Sequence, residues 1–201
     1  MLITVGEDSQ IVRTHPYFEY YDFLENPDLI YDVLEDFKPY ENYEATIDFY
    51  DYLYWLNTSN ESIFASTDCA FRIETTQQNP NYSQYCRGRV MVWYKNTEQW
   101  QQNFKFNFDR NCFEFLINNF GHYFGLINDP DNLIKVHFGL YPITLQDINN
   151  TAWQLMIEFV VYGNTEEETM ANFGEFVNHL SEITNNARTY AVEKIFNKNK
   201  E

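Results

Sequence analysis

The chain predicts an α+β fold: an antiparallel sheet of about five strands from residue 63 onward, helices packed on one face of it, and an acidic helical segment ahead of it. Three observations point there. Apolar residues recur at helical spacing before residue 62, switch to alternation from residue 63, and return to helical spacing behind a capping motif at residue 165.

The first helix begins at Asn26-Pro27, Asn as cap and Pro at the first helical position, with Asp28 at the positive end of the dipole. Leu29, Ile30, Val33, Leu34 and Phe37 form its apolar side. Asp28, Asp32, Glu35 and Asp36 fall opposite, and Pro39 stops it. A second helix is expected over residues 40–56. Glu41, Glu44, Asp48 and Asp51 share one stripe there, and Tyr43, Ile47, Phe49, Tyr50, Leu53 and Tyr54 cover the far side. An alternating strand over residues 48–56 is the competing reading, because aromatic runs also favour strands.

From residue 63 the period is two. Cys69, Phe71 and Ile73 alternate with Arg72 and Glu74, and Val90, Val92 and Tyr94 alternate with Arg89, Met91 and Trp93. The polar linker 77–84 between them makes a hairpin. Phe104, Phe106 and Phe108 read as a third strand, and Cys112, Phe113, Leu116, Ile117 and Phe120 as a helix ending near Gly121 or Gly125. Two more strands follow, over residues 133–141 and 153–162, the second with Trp153, Leu155, Ile157, Phe159 and Val161 on one face. Thr165 and Glu168 are spaced as a capping box, opening a long helix through Phe173, Val177, Leu180, Thr184, Ala187 and Ala191. In domain terms, residues 1–62 are an acidic, aromatic-rich helical segment and residues 63–201 a sheet domain; one compact unit is the expected arrangement, with residues 1–62 standing apart from the sheet as the alternative.

In 201 residues, 30 acids against 13 Lys and Arg leave a net charge of -17, and 19% of residues are aromatic. The 44% hydrophobic content argues against a disordered acidic tail. Residues 1–62 hold a net -12, residues 63–135 balance at zero, and residues 136–201 hold -5. A chain of this charge is repelled by nucleic-acid backbone and by anionic lipid, so the expected partner is a basic protein surface, with no direct nucleic acid and no membrane. No basic leader or long apolar stretch reads as a signal peptide or membrane span, and Cys69, Cys86 and Cys112 have no disulfide-like spacing. A reducing cytoplasm is the expected setting.

Motifs of chemistry are sparse. No nucleophile elbow, phosphate loop, dinucleotide fingerprint, Cys-x-x-Cys or His-Glu-x-x-His occurs, and His15, His122, His137 and His179 are scattered. No catalytic residue, metal ligand or cofactor is expected. Asp28, Asp36 and Lys38 superficially suggest a nuclease site, but the two acids lie more than two turns apart on one helix. Asp129 and Asp131 sit in a plain turn cluster. Arg87 to Tyr94 echoes an RNA-binding strand motif, with Arg89 and Met91 where its stacking aromatics belong.

The acidic stripes carry the functional expectation. Residues four apart on a helix rise by ~6 Å, so Asp28, Asp32 and Asp36 would form a file of negative charge. Such a file imitates the phosphates of DNA, at a cost of a few tenths of a kcal/mol per like-charged pair. Charge runs also serve simply to solvate a helix face, and that reading stands beside it. The expected partner-binding set is Asp22, Glu25, Asp28, Asp32, Glu35, Asp36, Glu41, Glu44, Asp48 and Asp51, joined by Tyr17, Tyr20 and Tyr21 from an aromatic cluster suited to an interface. The corresponding function is a non-enzymatic inhibitor of the anti-restriction or anti-CRISPR type, occupying the basic site of a nucleic-acid-binding protein. The alternative is a virion or tail-type assembly subunit, self-associating through sheet edges and aromatic patches.

Overall fold

A computed structural model describes residues 2–7, 13–15, 23–33, 35–75, 79–95, 110, 113–119, 133–145 and 150–198. The predicted α+β architecture is present. Its elements are β1 (Leu2–Glu7), β2 (Arg13–His15), α1 (Leu29–Val33), a 3-10 helix (Glu35–Tyr40), α2 (Glu44–Thr58), β3 (Phe64–Thr75), β4 (Gln84–Tyr94), α3 (residues 113–119), β5 (Ile134–Leu145), β6 (Asn150–Gly163) and α4 (Glu166–Lys198).

The sheet runs β1-β5-β6-β4-β3, and its four strands from β5 to β3 are antiparallel throughout. The predicted hairpin is β3–β4, with Phe71 opposite Gly88 and Cys69 opposite Val90. Along the far edge of β5, β1 and then β2 pair in parallel, Val5 opposite Phe138 and Thr14 opposite Thr144. These two strands lie in the segment expected to be helical. The strand expected at residues 104–108 and the turn at 128–132 fall outside the described residues.

Alternation gives the sheet an inner face of Cys69, Phe71, Val90, Val136, Ile157 and Phe159, all buried. Helices α2 and α4 pack on this face, and phenylalanine fills the space between the layers. Phe71 stacks on Phe37 at 4.0 Å, Phe173 lies 4.8 Å from Phe71 and 5.5 Å from Phe159, and Phe176 lies 4.6 Å from Phe159. Such ring pairs add about 0.5–1.5 kcal/mol each beyond their area. Much of the aromatic content is therefore core. Gly88 is required by it: a Cβ there would meet Phe159 Cζ at 2.5 Å, Phe71 Cβ at 2.7 Å and the Ala70 carbonyl oxygen.

Helix α2 resolves the helix-or-strand question in favour of the helix. Ala45, Phe49, Tyr52, Leu53 and Leu56 are its buried stripe, at i, i+4, i+7, i+8 and i+11. Ile47, expected to be covered, is 51% exposed beside the acids, while Tyr52 is buried in its stead. Buried Asn57 ties the helix to β3, donating to Leu53 O and Ser66 Oγ at 2.8 Å and accepting from Ser66 N. Helix α4 opens as its sequence predicts. Glu168 N donates to Thr165 Oγ1 at 3.2 Å, and the Glu168 carboxylate accepts from Asn164 N at 2.9 Å, one residue earlier than the motif's usual return bond.

The first acidic helix differs from expectation. Helix α1 ends at Val33, and a 3-10 helix carries the chain from Glu35 through Pro39 to Tyr40. Proline cannot donate to a helical ladder and disfavours α geometry at Lys38, so a regular α-helix does not run on through this segment. The continuous α-helical file of Asp28, Asp32 and Asp36 is accordingly split between a turn, α1 and the 3-10 helix.

Candidate functional site: an acidic groove between α2 and α4

Four contacts show how the two long helices lie. Tyr43 hydroxyl donates to Glu166 Oε1 at 2.9 Å, Ala45 faces Gly174, Tyr52 hydroxyl bonds Thr184 Oγ1 at 3.0 Å, and Glu61 lies 3.9 Å from Arg188. Residue numbers rise together on both sides, so α2 and α4 run in the same direction with their N-termini side by side. Small side chains set the close approach: a Cβ on Gly174 would lie 3.3 Å from that of Ala45.

Between the helices is an open groove of about 410 Å³, lined on one wall by Tyr43, Glu44 and Asp48 and on the other by Glu167, Glu175 and Asn178. Among the described residues no Lys or Arg lines it. Asp51 and Glu41 extend the exposed acidity beyond the α2 wall.

Helix dipoles account for part of this charge. Glu44 is in the first turn of α2, and Glu166, Glu167 and Glu168 are in the first turn of α4, where acids gain about 0.3–1 kcal/mol each. Asp48, Asp51 and Glu175 are beyond that turn and gain nothing from it. Asp48 is half-buried, and desolvation, followed by the charges of Glu44 and Asp51, holds its carboxyl above the usual carboxylate range. Nothing inside the described fold compensates for Asp48.

Of the sequence-predicted residues, Glu44 and Asp48 form one wall of the groove, and Asp51 and Glu41 are exposed near it. Glu25 and Asp28 are exposed in the turns ahead of α1. The side chains of Asp32, Glu35 and Asp36, and the whole of Tyr17, Tyr20, Tyr21 and Asp22, lie outside the described residues. Glu167 and Glu175 were not anticipated. Their only signal is an i, i+8 spacing on a helix whose apolar pattern dominates.

Among the described residues no cluster of three His, Cys, Asp or Glu is placed to hold a metal ion, and no helix is long and apolar enough to cross a membrane. Cys69 and Cys86 are buried and outside any disulfide, and burial pushes the Cys86 thiol up. The chain matches no protein-family model, no curated protein and no solved structure, so the geometry of the groove itself carries the functional reading.

Proposed function

We propose that the protein is a non-enzymatic binding protein that inserts its α2–α4 acidic face into the basic site of a nucleic-acid-binding protein. The observation that carries this reading is the groove with four carboxylates, including an Asp48 that the fold itself penalises, and no lining cation among the described residues. Packed helices stand about 8–10 Å apart, so the carboxylates of α2 and α4 form two rows flanking a groove. Glu44 to Asp48 rises ~6 Å and Asp48 to Asp51 ~4.5 Å. DNA offers the same arrangement, two rows of negative charge flanking grooves about 6 and 12 Å wide. A basic surface built to meet phosphates gains charge-assisted hydrogen bonds from either.

Binding of this kind is salt-sensitive and DNA-competed. The test is capture of partners from a lysate by the intact protein and by Glu44→Gln/Asp48→Asn/Glu167→Gln/Glu175→Gln, with low- and high-salt washes and added duplex DNA. Loss of a captured nucleic-acid-binding protein on all three treatments is expected; undiminished capture by the variant overturns the proposal. The assembly-subunit alternative draws less support, because the exposed-edge candidate β3 carries a bulge between Ser66 and Asp68, a feature that blunts edge-to-edge pairing.

A further inference from the structure

The outer face of the sheet carries a second charged site of opposite sign. Arg72 on β3 and Arg87 on β4 are directly opposite in register, an arrangement that costs stability for like charges. A single carboxylate serves both: Glu74 pairs with Arg72 Nε and with Arg87 Nη2, the latter at 3.1 Å, and also accepts from the Tyr85 hydroxyl. In the next row Arg89 stands opposite Glu158. Alongside, Lys135 Nζ donates to the Tyr162 hydroxyl at 3.1 Å, and the Tyr162 ring stacks with Tyr82 at 5.4 Å and lies 6.1 Å from Tyr85.

Arg72, Arg87, Arg89 and Glu158 line an open pocket of about 520 Å³. That is within the ~300–1,000 Å³ usual for small-molecule sites. The helical layer separates it from the acidic groove by roughly 20 Å, one sheet spacing plus one helix diameter, about two and a half times the screening length in physiological salt. The charge of -17 therefore does not govern the local field here.

We infer that this pocket binds the phosphate groups of a mononucleotide-sized ligand, clamped between Arg72 and Arg87, with Glu74 as the internal stand-in for the anion. Guanidinium forks match phosphate oxygens two at a time. The Tyr162 ring is already covered by Tyr82 and by Lys135 Nζ at 4.8 Å, which leaves the half-buried Tyr85 ring beside the clamp as the aromatic surface for a base.

Isothermal titration of the full chain with inorganic pyrophosphate and with ADP tests this. Saturable one-to-one binding is expected, weakened at least tenfold by Arg72→Gln and by Arg87→Gln, and tightened severalfold by Glu74→Gln, which removes the internal competitor. Tighter binding of ADP than of pyrophosphate assigns Tyr85 a base-stacking role, and equal binding assigns the site to bare phosphate; either supports the clamp. Absence of saturable binding by both probes, or unchanged affinity in folded Arg87→Gln, overturns it. Should the arginine variants fail to fold by circular dichroism, Glu74→Gln decides: affinity equal to or weaker than the parent overturns the inference.

Discussion

The two faces of the sheet are made by alternate residues of the same strands, yet they differ in nearly every physical respect. Inward, Phe71, Val90, Ile157 and Phe159 are dry, and the two phenylalanines pack against rings from α2 and α4. Outward, Arg72, Arg87 and Glu158 stand in solvent and interact through charge. Total charge is therefore a poor guide to this molecule. Its acids crowd the helical layer, while an arginine cluster occupies the opposite surface.

Substitutions can break that contrast. The largest effect is expected from Phe173→Ala, which deletes the ring joining Phe71, Phe159 and Phe49 and should cost about 4 kcal/mol in denaturant unfolding. Gly88→Ala places one methyl against Phe159 and Phe71 and should cost about 3 kcal/mol. Its neighbour Arg87→Gln, pointing outward from the same strand, should stay within about 0.5 kcal/mol of the parent. Equal losses at positions 87 and 88 would mean that the outer face is not a free surface.

Titration sharpens the comparison. Lys95 is buried beyond the end of β4, donating to Ser59 O at 3.1 Å, and desolvation lowers its pKa from 10.5 to about 8. The unfolded chain thus holds this proton where the native one has released it. Stability gains from Lys95 as pH rises between about 8 and 10.5, by at most ~1.4 kcal/mol per pH unit for one proton. The difference between parent and Lys95→Met, followed by denaturant midpoints across that window, should show this slope; a flat difference would place the amine in water. The smallest effect is at Asp48. Its carboxyl titrates above 3.8 in the fold, so ionisation costs stability as pH rises through the carboxylate range. Asp48→Asn should be more stable at neutral pH by a few tenths of a kcal/mol, and under the proposed function it should bind a basic surface less well. A loss of stability would show that the fold uses Asp48 after all.

The legible parts of the molecule were those whose signal is local. Val90, Val92 and Tyr94 announce β4 by alternation, and Thr165 with Glu168 announces α4 by its cap. Strand β1 has a weak signal, Ile3 and Val5 around Thr4, and takes its place by pairing with Val136 and Phe138 far along the chain. The site divides the same way. Glu44, Asp48 and Asp51 share a stripe visible in the sequence. Glu167 and Glu175 join them only because Ala45 and Gly174 let two helices meet, a tertiary fact with no local signature. Ile47 was misplaced because helical periodicity fixes which residues share a side, but not how far the covering layer reaches.

The parallel pairing of β1 with β5 also sets an order of events. Leu2 meets Lys135 roughly 130 residues later, so on a ribosome adding about 5–20 residues per second the first strand waits on the order of ten seconds for its partner. Helix α2 waits about as long for α4, which follows every strand of the described sheet. The acidic groove is thus completed only after every described strand of the sheet has been made. A nascent chain carries the α2 carboxylates long before it can present them as paired rows with those of α4, so for that interval only half of the proposed surface exists.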